Sequence, residues 1–151
     1  MIEIFIDADA CPVKDEVYAV AARLGLAVVV VANQRINVPR EAAVEMVVVG
    51  AGADAADDWI VDEIRSGDIV ITADIPLAAR CLEKAALALG THGREFTADS
   101  IGSALATREV KASLREAGAV TGGPPPITAR ERSRFSNALD SIVQRSLRQP
   151  R

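Results

Sequence analysis

The chain has 151 residues, 50% hydrophobic and 25% charged, which fits one globular domain long enough to bury a proper core. Its two cysteines, Cys11 and Cys81, exclude a disulfide framework, and Glu3 and Asp7 break the first apolar stretch where a signal peptide needs continuity. No run approaches the roughly 18 apolar residues of a membrane span, so a reduced, soluble, cytoplasmic protein without a membrane partner is expected.

The formal charge of −4 divides unevenly. Residues 1–107 hold 8 Lys/Arg against 17 Asp/Glu, and residues 108–151 hold 9 against 4. An acidic site that needs cations, beside a basic surface that attracts phosphates, is one reading of that split. Solvated helix faces of opposite sign are the other. Only Phe5, Phe96, Phe135, Tyr18 and Trp59 are aromatic, so the core is aliphatic and broad base-stacking platforms are disfavoured.

In chain order, Ile2 to Ile6 reads as a buried strand that delivers Asp7 to its carboxyl end, followed by Ala8-Asp9-Ala10-Cys11-Pro12. Pro12 suits the first turn of a helix. Val13, Val17, Val20, Ala21 and Leu24 then recur at helical spacing, and Gly25 stops them. Leu26 to Ala32 is a continuous Val-rich run, the mark of a parallel strand covered on both faces. The polar Asn33-Gln34-Arg35 at its end is a loop that can carry function. Arg40 to Glu45 reads as a linker or a turn of helix, and Met46 to Val49 as a third buried strand.

After Gly50-Ala51-Gly52-Ala53, Asp54 stands at a helix cap position. Asp54, Asp57 and Asp58 share one side of the helix that follows, while Ile60, Val61 and Ile64 form its buried side. A strand over Ile69 to Thr72 delivers Asp74, repeating the design of the opening strand, and a helix from about Pro76 to Ala86 follows. Leu87 to Gly90 reads as a short strand, Thr91 to Phe96 as irregular, and Ser100 to Ala117 as a helix closed by Gly118. Thr121-Gly122-Gly123 and three prolines form an extended connector. The last helix opens on a capping box, Thr128 to Glu131, with Phe135, Leu139, Ile142 and Val143 on its apolar stripe.

This rhythm predicts a single three-layer α/β domain over 1–151 with a mainly parallel sheet, and a Gly/Pro-rich connector over 119–127 leading to a C-terminal helix over 128–148. Parallel neighbouring strands would bring Asp7, Asp9 and Asp74 to one spot at the carboxyl edge, where open α/β sheets bind ligands. Gathered carboxylates repel unless some stay protonated or a cation joins them. Magnesium or manganese prefers oxygen ligands and keeps water and phosphate in its shell, and a pair of such ions serves in-line phosphoryl displacement.

The candidate ligands are Asp7, Asp9, Asp54, Asp57, Asp58 and Asp74. Asp54 can equally be a plain cap and Asp58 a plain surface residue, whereas Asp7 and Asp74 directly follow apolar strands and have no evident capping duty. Asp68 begins a strand on the opposite edge and is left out. Cys11 is read as a small buried residue in preference to a low-pKa thiol at a helix start, since His92 is the chain's one histidine. Arg108, Lys111 and Arg115 share a helix face and, with Arg94, are expected to steer phosphates.

Phe5-Ile6-Asp7-Ala8-Asp9-Ala10-Cys11-Pro12-Val13-Lys14, Gly52 to Asp57, Gly67 to Ala78 and Thr121-Gly122-Gly123-Pro124 together resemble the bacterial YaiI/YqxD family, over nearly the whole chain. That resemblance implies similarity to the PIN-like nuclease superfamily, hence a PIN-like fold. It implies a first acid at the end of strand one (Asp7), helix acids (Asp54 and Asp57), and a Thr-x-Asp after a later strand (Thr72 and Asp74). Aspartates stand here in place of the superfamily's usual helix glutamate.

A metal-dependent nuclease is therefore the leading expectation, with RNA the favoured substrate and water the nucleophile. Asp7, Asp9, Asp54, Asp57 and Asp74 would serve Mg2+ or Mn2+, with Thr72 among the catalytic residues. A haloacid-dehalogenase-like phosphatase is the first alternative, with Asp7 as nucleophile, Asp9 beside it and Thr72 after a later strand. A regulatory module that holds a metal or nucleotide without turnover is the second.

Overall fold

The structure is a computed structural model that describes residues 2–40, 43–52, 54–103, 105–106 and 126–149. Six strands form one sheet: β1 (Glu3–Asp7), β2 (Ala27–Ala32), β3 (Val44–Val48), β4 (Ile69–Ile71), β5 (Leu87–Leu89) and β6 (Glu95–Phe96). Their order across the sheet is β3-β2-β1-β4-β5-β6, with β6 alone antiparallel to its neighbour. The chain works outward from β1 through β2 to β3, then returns to β1's other side to lay down β4 and β5. The crevice between β1 and β4 is thus a topological switch point, and ligand sites of such sheets form there, beyond the carboxyl ends.

Alternation along the central strands feeds two cores. Ile4 and Ile6 of β1 join Val28, Val30, Ile69 and Ile71 in a layer covered by α1 (Lys14–Leu24) and the C-terminal helix (Ala129–Arg148). Phe5, Val29, Val31, Val70 and Ala88 face the other way, against α2 (Ala55–Glu63) and α3 (Ile75–Glu83). This is the expected three-layer α/β arrangement. Its strands are buried on both faces, which explains why they read as unbroken aliphatic runs.

Gly25 ends α1 in the left-handed conformation, at φ 71°, where a side chain is disfavoured. The capping box of the C-terminal helix is present, Thr128 accepting from the Glu131 amide and Glu131 from the Thr128 amide. That helix buries Phe135, Leu139, Ile142 and Val143, each contributing roughly 1.5–3 kcal/mol on burial, enough to hold an otherwise basic helix against α1. Arg132 ties the two by donating to the Pro12 carbonyl at 2.8 Å and to Glu16 at 3.0 Å, and Arg23 pairs with Asp140 at 2.6 Å.

Four expectations need correction. Strand β3 begins at Val44, so 44–45 belong to the sheet, and it is a half-exposed edge strand rather than a buried one. The edge position is what admits Glu45 beside β2. Helix α3 begins at Ile75 and ends at Glu83, and Ala85 follows with φ 63°. Residues 95–96, expected to be irregular, pair antiparallel with β5. A helix does begin near Ser100, at 98, set by reciprocal bonds between Thr97 and Ser100. Its continuation to Ala117, the stop at Gly118 and residues 119–125 of the connector lie outside the described residues. Among the described residues, no helix is long and apolar enough to cross a membrane.

Candidate active site

Register decides what meets at the switch point. Ile6 is level with Ile71 of β4, so Asp7 and Thr72, one step further along each strand, come side by side. The Thr72 hydroxyl, fully buried, donates to Asp7 Oδ2 at 2.8 Å and accepts from the Asp74 amide at 2.9 Å. One side chain thereby fixes both the carboxylate of β1 and the backbone that carries the next acid.

Asp74 is the N-cap of α3, its Oδ1 accepting from the Leu77 amide at 2.9 Å. The expectation that Asp74 lacks a capping duty is therefore corrected: Pro76, in the first turn, starts the helix one residue earlier than expected and leaves Asp74 at its mouth. Asp54 shows the reverse. It precedes α2, but its side chain caps no amide, so its carboxylate is not spent on the helix.

Acids from three elements lie close enough to act on one another. Burial, and then the charges of Asp74, Asp7 and Asp54, push the Asp57 carboxyl up to about 6, against a smaller opposing effect of Arg80. Asp7 is likewise raised, by burial first; the Thr72 hydrogen bond opposes the shift, and Asp74 and Asp9 add to it. Asp7, Asp57 and Asp74 thus converge, with Asp54 beside them.

Asp9 is exposed on a 3-10 turn (Ala8–Ala10) and accepts from the Asn33 amide at 3.3 Å, so it leans toward the end of β2. Asn33 in turn donates to the Gly50 carbonyl at 2.7 Å. Asp58 stands apart, paired with Arg80 at 2.9 Å on the surface. Asp68, on the opposite edge, accepts from the Glu3 and Arg65 amides and serves the fold. Cys11 is 4% exposed, and burial pushes its thiol up, which makes it a packed residue rather than a nucleophile.

The donor set, carboxylates and a hydroxyl, has the chemistry that a hard divalent cation prefers. Among the described residues, however, no three His, Cys, Asp or Glu side chains are grouped so as to hold a metal ion as they stand. Magnesium tolerates that, since it is commonly bound through one or two carboxylates with water completing the shell.

Two cavities meet at Ala73, between Thr72 and Asp74, and of the candidate acids Asp9 alone lines either of them. One, of about 540 Å3, is lined by Ala8, Asp9 and Ala73 on the acid side and by Lys14, Thr91 and His92 among its other walls. The other, of about 310 Å3, carries Arg94 and Phe96. Arg94 lines this second cavity, while Arg108, Lys111 and Arg115 lie outside the described residues. Sequence reasoning gave no role to Lys14 and His92. The available signal was positional: Lys14 opens the helix after β1, and His92 follows β5, so both belong to the carboxyl edge.

A sequence model described as "Uncharacterized BCR, YaiI/YqxD family" matches residues 5–145. A UPF0178 protein of Paramagnetospirillum magneticum (strain AMB-1) is 54% identical over 148 residues, 98% of each chain. One from Caulobacter sp. (strain K31) is also 54% identical over 148 residues, again 98% of each chain. One from Rhodopseudomonas palustris (strain TIE-1) is 53% identical over 145 residues, covering 96% of this chain and 92% of the relative. No solved structure matches the chain significantly. With a family match across nearly the whole sequence and relatives that align end to end, the chain belongs to the YaiI/YqxD family.

Proposed function

We propose that the protein is a PIN-like, metal-dependent phosphodiesterase acting on nucleic acid, with RNA the favoured substrate. The observation that carries this reading is the convergence of Asp7, Asp57 and Asp74 at the switch point, with Asp57 held near pH 6 by burial and by its acidic neighbours. Such an arrangement costs stability while the carboxylates are charged and alone, and a bound cation relieves it.

Asp7, Asp57 and Asp74 would hold magnesium or manganese, with Asp9 and Asp54 at the margin. When bound, the ion supplies charge neutralisation at the phosphoryl oxygens and a more acidic attacking water. The chain's own residues do the rest. Thr72 holds the Asp7 carboxylate in one orientation through its 2.8 Å bond. Asp74 keeps one oxygen on the Leu77 amide, which leaves its second oxygen as an acceptor for a ligand. Asp57 brings a further carboxylate from α2, whose carboxyl is raised by burial and by its acidic neighbours as long as no cation joins them. Arg94 offers a guanidinium to the phosphate backbone.

The test is hydrolysis of end-labelled single-stranded RNA with Mn2+ or Mg2+, by the wild type and by Asp74→Asn. Asparagine keeps the helix cap, so a folded but inactive variant is expected. Undiminished cleavage by Asp74→Asn, or by the wild type in excess chelator, would refute the proposal.

A further inference from the structure

The two cavities are not independent. Each is lined by Ala73, Thr91 and His92, and Ala73 is the residue between Thr72 and Asp74, so both open on the same short stretch of the acid site. From there they diverge. The larger extends to the start of α1, over apolar Cys11, Pro12 and Ile127, with Lys14 as its cation. The smaller extends to β6, past Ile75 and Gly90, with Arg94 as its cation and Phe96 as its ring.

Their volumes, about 540 and 310 Å3, are those of small-ligand sites, and mostly apolar walls with a few placed polar groups are what such sites use. One cation per cavity matches one phosphate per nucleotide. Lys14 donates to the Cys11 carbonyl at 2.8 Å, which fixes its position and leaves further ammonium donors for a ligand.

Between the two lies His92, its ring beside Thr91 and, at 3.6 Å, Glu131 of the C-terminal helix. The turn that presents it is held by Gly93, at φ 87°, where a Cβ would come within 3.3 Å of the Phe135 backbone. Any residue but glycine would push this turn off the helix.

We propose that these cavities are adjoining subsites for two successive nucleotide units of a single strand, with the phosphate that joins them at Ala73, the residue both cavities share between Thr72 and Asp74. The inference rests on the phosphodiesterase reading above and adds its substrate class. Lys14 contacts the outer phosphate of the unit in the larger cavity, and Arg94 the outer phosphate of the unit in the smaller, on either side of the joining one. Phe96 offers an apolar face to one base. A duplex does not suit this cleft, because paired bases cannot part into separate cavities without opening.

The test is titration of the full-length Asp74→Asn chain, with Mg2+, with a fluorescent RNA dinucleotide phosphorylated at both its 5′ and 3′ ends, the matching mononucleotide, and a short blunt RNA duplex. The dinucleotide is expected to bind about tenfold or more tightly than the mononucleotide or the duplex, and Lys14→Ala and Arg94→Ala each to weaken it about tenfold, as loss of a charge-assisted contact does. Unchanged melting temperatures of both variants would show that they act on the ligand. Equal affinity for mono- and dinucleotide, or full affinity in both variants, overturns the two-subsite assignment. Cleavage of long single strands by the wild type without dinucleotide binding overturns it too, while leaving the phosphodiesterase reading intact. Neither binding nor cleavage overturns both.

Discussion

Replacing Asp57 by asparagine should stabilise the cation-free protein at pH 8. The Asp57 carboxyl ordinarily titrates near 3.8 and is pushed to about 6 in the folded chain. A raised acid binds its proton more tightly folded than unfolded, so its contribution favours folding below pH ~4 and is lost as pH rises through about 6. A shift of about two units corresponds to roughly 3 kcal/mol as an upper bound. The side chain is half-exposed, so solvent screening reduces this severalfold. Asp57 also lies in the first turn of α2, where its charge returns about 0.3–1 kcal/mol through the helix dipole.

A net gain of about 1 kcal/mol for Asp57→Asn follows, or about 2–4 °C in melting temperature for a chain of this size. Differential scanning fluorimetry across pH 4–8 in chelator measures it. The gain should shrink toward zero by pH 4, and Mn2+ should raise the wild-type melting temperature more than the variant's at pH 8. A variant no more stable than wild type at pH 8, or a gain independent of pH, would mean that the acids do not share a common field.

Thr72→Val should cost about 1–3 kcal/mol in urea denaturation, because it strands the Asp7 carboxylate and the buried Asp74 amide together. The same change should raise the Asp7 carboxyl further, readable by carbon-detected NMR titration, since the Thr72 bond is what opposes its shift. Asp74→Ala, which deletes the bond to the Leu77 amide, should lower stability by about 1 kcal/mol where Asp74→Asn does not. Arg132→Ala removes the bonds to Pro12 and Glu16, and amide exchange should show the first turns of the C-terminal helix opening faster while β1 and β4 stay protected.

Much of this arrangement was legible beforehand, for a physical reason. Strands β1, β2 and β4 lie between two helical layers, so their central positions are apolar on both faces and the runs stop abruptly at the polar Asp7, Asn33 and Thr72, which are therefore readable directly. Strand β3 was misplaced because an edge strand needs only partial burial, and Glu45 breaks its pattern. The cap role of Asp74 was missed because it turns on a one-residue difference in where α3 starts.

Asp9, two residues after Asp7, reads in the sequence as a companion to it. The 3-10 turn that holds Asp9 instead carries it to Asn33, which no periodicity reveals. Lys14 and His92 come to one cavity only because β5 lies beyond β4 and α1 opens at the end of β1. That is a property of strand order, absent from any local stretch.

The C-terminal helix bears on the order in which the molecule is made. Its residues cover the Ile4 and Ile6 side of β1 and grip the segment just past Asp9 through Arg132. A nascent chain that has already displayed every acid therefore has no sealed platform beneath them until positions 129–148 have cleared the ribosome. A chain released before that point would leave Ile4 and Ile6 without Phe135, Leu139, Ile142 and Val143, which pack in the same cluster.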